Sequence, residues 1–185
     1  MHPLNEGKSK RLPAWFKAAL FALLAGNTVW YFAAGASSKG LDAAAWLALL
    51  ALFEFETRFA HRLHGDRVRF VLRAARLAAA AAVITSALGY VLDDNVLDAI
   101  NSALWIAVVV VLELQLRYPH REDRPPVFAL LPPALYAALG VLVLIWGSRA
   151  EWFDAYDALL WLVAFATLER TVIGAGAAHR RIRQG

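Results

Sequence analysis

"LDAAAWLALLALFEFETRFAHR", residues 41–62, reads as an apolar helix with a carboxylate towards each end and a basic tail. Asp42 and Glu54 bracket eleven uncharged residues, Trp46 follows the first acid by four positions, and Arg58 follows the second by four. Twelve residues of helix span about 18 Å, against roughly 30 Å of hydrocarbon in a bilayer. A centred, upright helix therefore carries both acids inside the apolar boundary. On a helical wheel Asp42, Trp46, Glu54 and Arg58 share one side, so that side is expected to face protein rather than lipid.

The same arrangement returns in "INSALWIAVVVVLELQLRYPHR" (100–121) and in "YDALLWLVAFATLERTVIGAGAAHR" (156–180). Asn101 and Asp157 precede Trp105 and Trp161 by four residues, and Glu113 and Glu169 follow those tryptophans by eight. Arg117 occupies the position of Arg58, whereas the third copy has Ile173 there. An apolar segment precedes each copy and ends on an aromatic residue, Trp30, Tyr90 or Trp146. The unit is a helical hairpin, used three times in parallel over about 14–62, 70–121 and 127–180.

Composition agrees with a membrane chain. Of 185 residues 60% are hydrophobic and 18% charged, the mean hydropathy is +0.49, and no charge interrupts the run from Pro125 to Ser148. Six transmembrane helices are expected, near 14–35, 40–59, 70–92, 96–117, 127–147 and 153–173. The expected fold is an all-α integral membrane domain, with three two-helix hairpins around a pseudo-threefold axis.

Seventeen of the 19 Lys and Arg residues fall on one side of this topology, leaving Lys39 and Arg149 opposite. The positive-inside rule then places both termini in the cytoplasm of a bacterial-type inner membrane. The small-residue stretch "AAGASS" (33–38) resembles a signal cleavage site, but the uncharged run before it is longer than a signal h-region. The first helix is expected to remain part of the bundle.

The repeated acids admit two readings. In the first, Glu54, Glu113 and Glu169 form a cytoplasmic layer and Asp42, Asn101 and Asp157 an external one, stations on the path of a cation, proton or small solute. In the second, Glu54–Arg58 and Glu113–Arg117 are i,i+4 ion pairs, the Asp and Asn side chains cap helix N-termini, and the tryptophans only pack. Pro132 and Pro133 are expected to interrupt or bend the fifth helix, freeing carbonyls.

No cysteine is present, which excludes disulfides, thiolate metal sites and iron–sulfur clusters. His2, His61, His64, His120 and His179 all lie outside the apolar cores, so no membrane haem, other cofactor or metal site is expected. No nucleophile triad or nucleotide loop is found, and an enzyme is not expected. The basic loops suit anionic lipid headgroups rather than nucleic acid. A transporter or channel is the leading expectation. The alternative is a non-catalytic subunit of a larger membrane complex, including the substrate-capturing subunit of a multicomponent importer.

Overall fold

The computed structural model describes residues 13–59, 65–117 and 127–167, with only the backbone at 57, 115–117 and 127–129. The described chain is all helix and turn. The helices are α1 (Ala14–Ala33), α2 (Ser37–Phe59), α3 (Asp66–Leu92), α4 (Val96–Arg117), α5 (Val127–Ser148) and α6 (152–167). Each is built on an apolar or small-residue run, with charged residues in α2 and α3 placed towards their ends, and the second and third described turns coincide with polar breaks at 93–95 and 149–151. Helix α5 passes through Pro132 and Pro133 without a break, contrary to the expected interruption. Both prolines lie in its second turn, where each removes one backbone donor and leaves the carbonyl four residues earlier without its helical partner.

Three short turns lie at one end of the molecule and share one hydrogen-bonding pattern. Ala34, Asp93 and Arg149 donate their N–H groups to Trp30, Gly89 and Ile145. One residue on, Gly35, Asp94 and Ala150 adopt left-handed φ angles of 77°, 53° and 62°. Ala36, Asn95 and Glu151 then donate back to the carbonyls of Tyr31, Tyr90 and Trp146. This is a Schellman-type stop made three times, at positions 59 and 56 residues apart. It corrects one register. The aromatic equivalent to Tyr90 and Trp146 is Tyr31, which is buried, while Trp30 is 59% exposed.

Sequence neighbours pack together, α1 on α2, α2 on α3, α3 on α4 and α4 on α5. Helix α6 is tied to α1 by two polar bonds about one turn apart. Asn27 donates to Asp157 at 2.7 Å, and the Tyr31 hydroxyl donates to Asp154 at 2.9 Å. The shared core consists of Leu20, Leu24, Val83, Val108 and Leu139 around Trp46, Trp105, Trp161 and Phe165.

The outside of the bundle is apolar. Trp15, Phe70, Leu77, Leu92, Leu130 and Leu144 are each more than two-thirds exposed. A water-soluble bundle does not present so many large apolar side chains at once. Four helices are long and apolar enough to cross a membrane: α1, α3, α4 over Val96–Leu114 and α5 over Leu130–Ser148. The bundle is that of a multi-pass membrane protein. Helix α2 falls short of that apolarity because it carries Lys39, Asp42, Glu54, Glu56 and Arg58, and the described part of α6 is only 16 residues long.

Candidate functional site

Polar side chains collect inside the bundle at the short-turn end. Lys39 on α2 reaches Asp98 on α4 at 3.2 Å and Asp154 on α6 at 2.9 Å. The Tyr31 ring lies beneath the same ammonium, with 6.0 Å from Nζ to its centroid. At the head of α4, Asn95 donates to Asp98, holding that carboxylate at the first turn. The backbones of α2 and α4 make no close packing contact, so these side chains bridge a gap.

One helical turn further in lie Asp42, Asn101 and Asp157. The turn after that carries Trp46, Trp105 and Trp161. Positions 39, 42 and 46 of α2 alternate three and four residues apart, as do 98, 101 and 105 of α4 and 154, 157 and 161 of α6. Such spacing keeps a seam facing one axis. Each of the three helices thus contributes one residue to an outer charged layer, a middle polar layer and an inner indole layer.

These nine residues, together with Tyr31, Tyr90, Trp146 and Phe165, line a cavity of about 40 Å³. Phe165 closes its inner end. Its ring packs against Trp105 at 4.6 Å, Trp46 at 5.9 Å and Trp161 at 6.3 Å, and all four side chains are buried. Outward, Lys39, Asp98, Trp146 and Asp154 are shared with a wider vestibule of about 520 Å³, whose rim adds Asp94, Arg149 and Glu151. The cavity is open towards one end and plugged towards the other.

The middle layer is incompletely bonded. Asp42 is 9% exposed, and its Oδ1 makes no hydrogen bond among the described residues. The Asn101 Oδ1 is also buried without a partner. The Trp46 indole N–H and the Tyr90 hydroxyl face the Asp42 carboxyl, but Trp46 Nε1 does not reach hydrogen-bond geometry. Buried polar atoms are nearly always paired, since an unmade bond in a low-dielectric interior is costly. Asp42, Asn101 and Asp157 sit five residues into their helices, beyond the reach of a capping role, which removes that reading of them.

The glutamates lie elsewhere. Glu54 is not paired within its own helix. Lys17 of α1 holds it at 3.0 Å, and Arg58 instead lies over the Phe59 ring. A base on the neighbouring helix reaches the half-buried carboxylate directly, whereas Arg58 turns away from the interface. Glu54 and Lys17 line a separate crevice of about 20 Å³ with Leu20, Leu50, Ala164 and Thr167. Glu56 bonds Arg76 of α3. Glu113 is on the exposed side of α4. Glu169, the Arg117 side chain and the five histidines lie outside the described residues. Among the described residues, no three His, Asp or Glu side chains converge as a metal-ligand set.

Lys39, Asp98 and Asp154 are the functional candidates that the sequence reading did not single out. Their signal was available, because each stands three residues before the Asp42, Asn101 or Asp157 already aligned. Comparison with protein-family models, curated proteins and solved structures finds no match for this chain.

Proposed function

We propose that this protein captures a cation from the extracytoplasmic side of the membrane in the chamber between α2, α4 and α6. Four aspartates, Asp42, Asp98, Asp154 and Asp157, share that chamber with a single lysine, and this imbalance is the observation that carries the reading. Concave acidic sites with low-dielectric walls concentrate cations. Six membrane crossings in three hairpins, N-in and C-in, are the topology proposed. Its support is the thrice-made turn, the three-residue layers and the bias of basic residues to the far side.

The aromatic plug favours capture or alternating access over an open channel. A pore needs a continuous wet path, and Phe165 with its three tryptophans interrupts this one. The protein therefore acts as a carrier, or as the substrate-binding subunit of a larger importer. The polar track of the mechanism consists of Asp42, Asn101 and Asp157, with Glu54, paired to Lys17, as a structural anchor at the other end.

Native mass spectrometry of gently extracted protein, paired with thermal unfolding in a panel of salts, tests this. A bound small cation, or stabilisation by one class of cation that Asp42→Asn removes, is the expected result. The reading fails if alkali, alkaline-earth and organic ammonium salts all leave unfolding unchanged. A stoichiometric protein partner in the same spectra assigns the subunit role.

A further inference from the structure

The cation-capture reading leaves the class of cation open, and the walls of the chamber narrow it. Inorganic cations need several oxygen ligands converging at short range. Here seven of the fifteen lining residues are aromatic, and the carboxylates are spread over two layers rather than converged. Aromatic faces attract organic ammonium groups, whose charge is spread over apolar surface.

The protein already contains one example. In the outer layer the Lys39 ammonium is held by two carboxylates, Asp98 and Asp154, with the Tyr31 ring beside it. The middle layer repeats this set of groups one turn deeper. Asp42 and Asp157 supply two carboxylates, and Trp46, Trp161 and Tyr90 supply aromatic surface. That layer holds no lysine or arginine of its own. It does hold two buried acceptors that make no hydrogen bond among the described residues, Asp42 Oδ1 and Asn101 Oδ1, with the equally unbonded Trp46 Nε1 beside them.

Resting on the cation-capture reading, we propose that the middle layer binds the head group of a primary ammonium ion. Its N–H groups donate to Asp42 and Asn101, and its first carbons lie on the indole layer. A cavity of about 40 Å³ accommodates only the head. A longer body extends past Lys39 into the vestibule of about 520 Å³. Acceptors that demand donors distinguish such an ion from a quaternary ammonium, which has none to give. Lys39 sits at the boundary and must yield its carboxylates for a longer ligand to pass.

The test is equilibrium dialysis of radiolabelled methylammonium against the full-length protein in nanodiscs, with competing salts at constant ionic strength. Saturable binding, displaced by butylammonium and not by potassium or tetramethylammonium, is expected. Asp42→Asn should weaken it by at least about tenfold, the range for a lost hydrogen bond to a charged group. Asn101→Leu, which leaves every charge in place, should weaken it by a smaller factor. Thermal unfolding of both variants checks that they are folded.

Displacement by potassium as strong as by butylammonium overturns the ammonium assignment and leaves cation capture standing. Equal displacement by tetramethylammonium overturns the donor bonds to Asp42 and Asn101. Unchanged binding in folded Asp42→Asn removes the middle layer as the site. Absence of saturable binding by methylammonium, butylammonium and potassium alike removes this proposal together with the cation-capture reading.

Discussion

Lys39 Nζ lies 2.9 Å from Asp154 Oδ1, and the two residues stand at equivalent positions of their helices, three before the acid of the middle layer. A base at one position of the outer layer thus bridges acids at the other two, Asp98 being the third, and leaves the layer one negative charge in excess. Without Lys39, two largely buried carboxylates would face each other across a narrow gap. Lys39→Met should lower stability by about 1–2 kcal/mol, discounted from a fully buried pair because the lysine side chain is 23% exposed. Adding Asp98→Asn should recover part of that loss. Thermal unfolding of the two variants measures both steps, and an unchanged midpoint for Lys39→Met would show that the bridge contributes nothing.

Glu54 and Lys17 present the opposite case. Their side chains are about one-third exposed and joined by one ion pair at 3.0 Å. Pairs so placed contribute about 0.5–1 kcal/mol. Glu54→Gln should therefore cause a small loss of stability, and the exchanged pair Lys17→Glu with Glu54→Lys should restore most of it. Methylammonium binding should be unaltered in Glu54→Gln, since the Glu54 crevice and the chamber share no lining residue. A large drop in binding would connect the two ends of the bundle and count against the plug.

Much of the bundle was legible in advance because its repeated tryptophans and acids are scarce against an Ala/Leu background. Trp46, Trp105 and Trp161 suggested the register, and the expected limits of α1 to α5 lie within a few residues of those observed, while the expected end of α6 at 173 lies outside the described residues. The outer layer was missed for a chemical reason. An alignment that looks for identity passes over a column reading Lys, Asp, Asp, although in the fold that lysine bridges the two acids. Glu54 was legible as needing a base, but its nearest in sequence, Arg58, is not its nearest in space. That choice depends on how α1 packs on α2, which local spacing does not encode. Trp30 drew attention from Tyr31 by resembling Trp146, whereas burial follows the position in the turn.

The turns give a test independent of ligand. Ala150 adopts a φ of 62°, a left-handed conformation that crowds its Cβ, while Gly35 occupies the matching position of the first turn at no steric cost. Ala150→Gly should stabilise the protein by up to about 1 kcal/mol, and Gly35→Ala should destabilise it by a similar amount. Opposite signs from matched positions, read by thermal unfolding, are the expected pattern. The same sign for both would mean that the turns differ in what they bear.

Phe165 is where packing and transport meet. Its ring fills the space between Trp46, Trp105 and Trp161, closing the chamber above the level of Leu50 and Ala164. Phe165→Ala removes that filling and should destabilise the bundle by about 3–5 kcal/mol, with water entering the space left. Phe165→Leu keeps most of the volume and should cost less. If the plug separates the chamber from the opposite membrane face, proteoliposomes carrying Phe165→Ala should leak methylammonium down its gradient, while wild type and Phe165→Leu remain tight. Leak should also persist in the pair Phe165→Ala with Glu54→Gln, because Glu54 is anchored to Lys17 rather than placed on the path. A folded but tight Phe165→Ala protein would place the barrier deeper, among Leu20, Leu24 and Leu139.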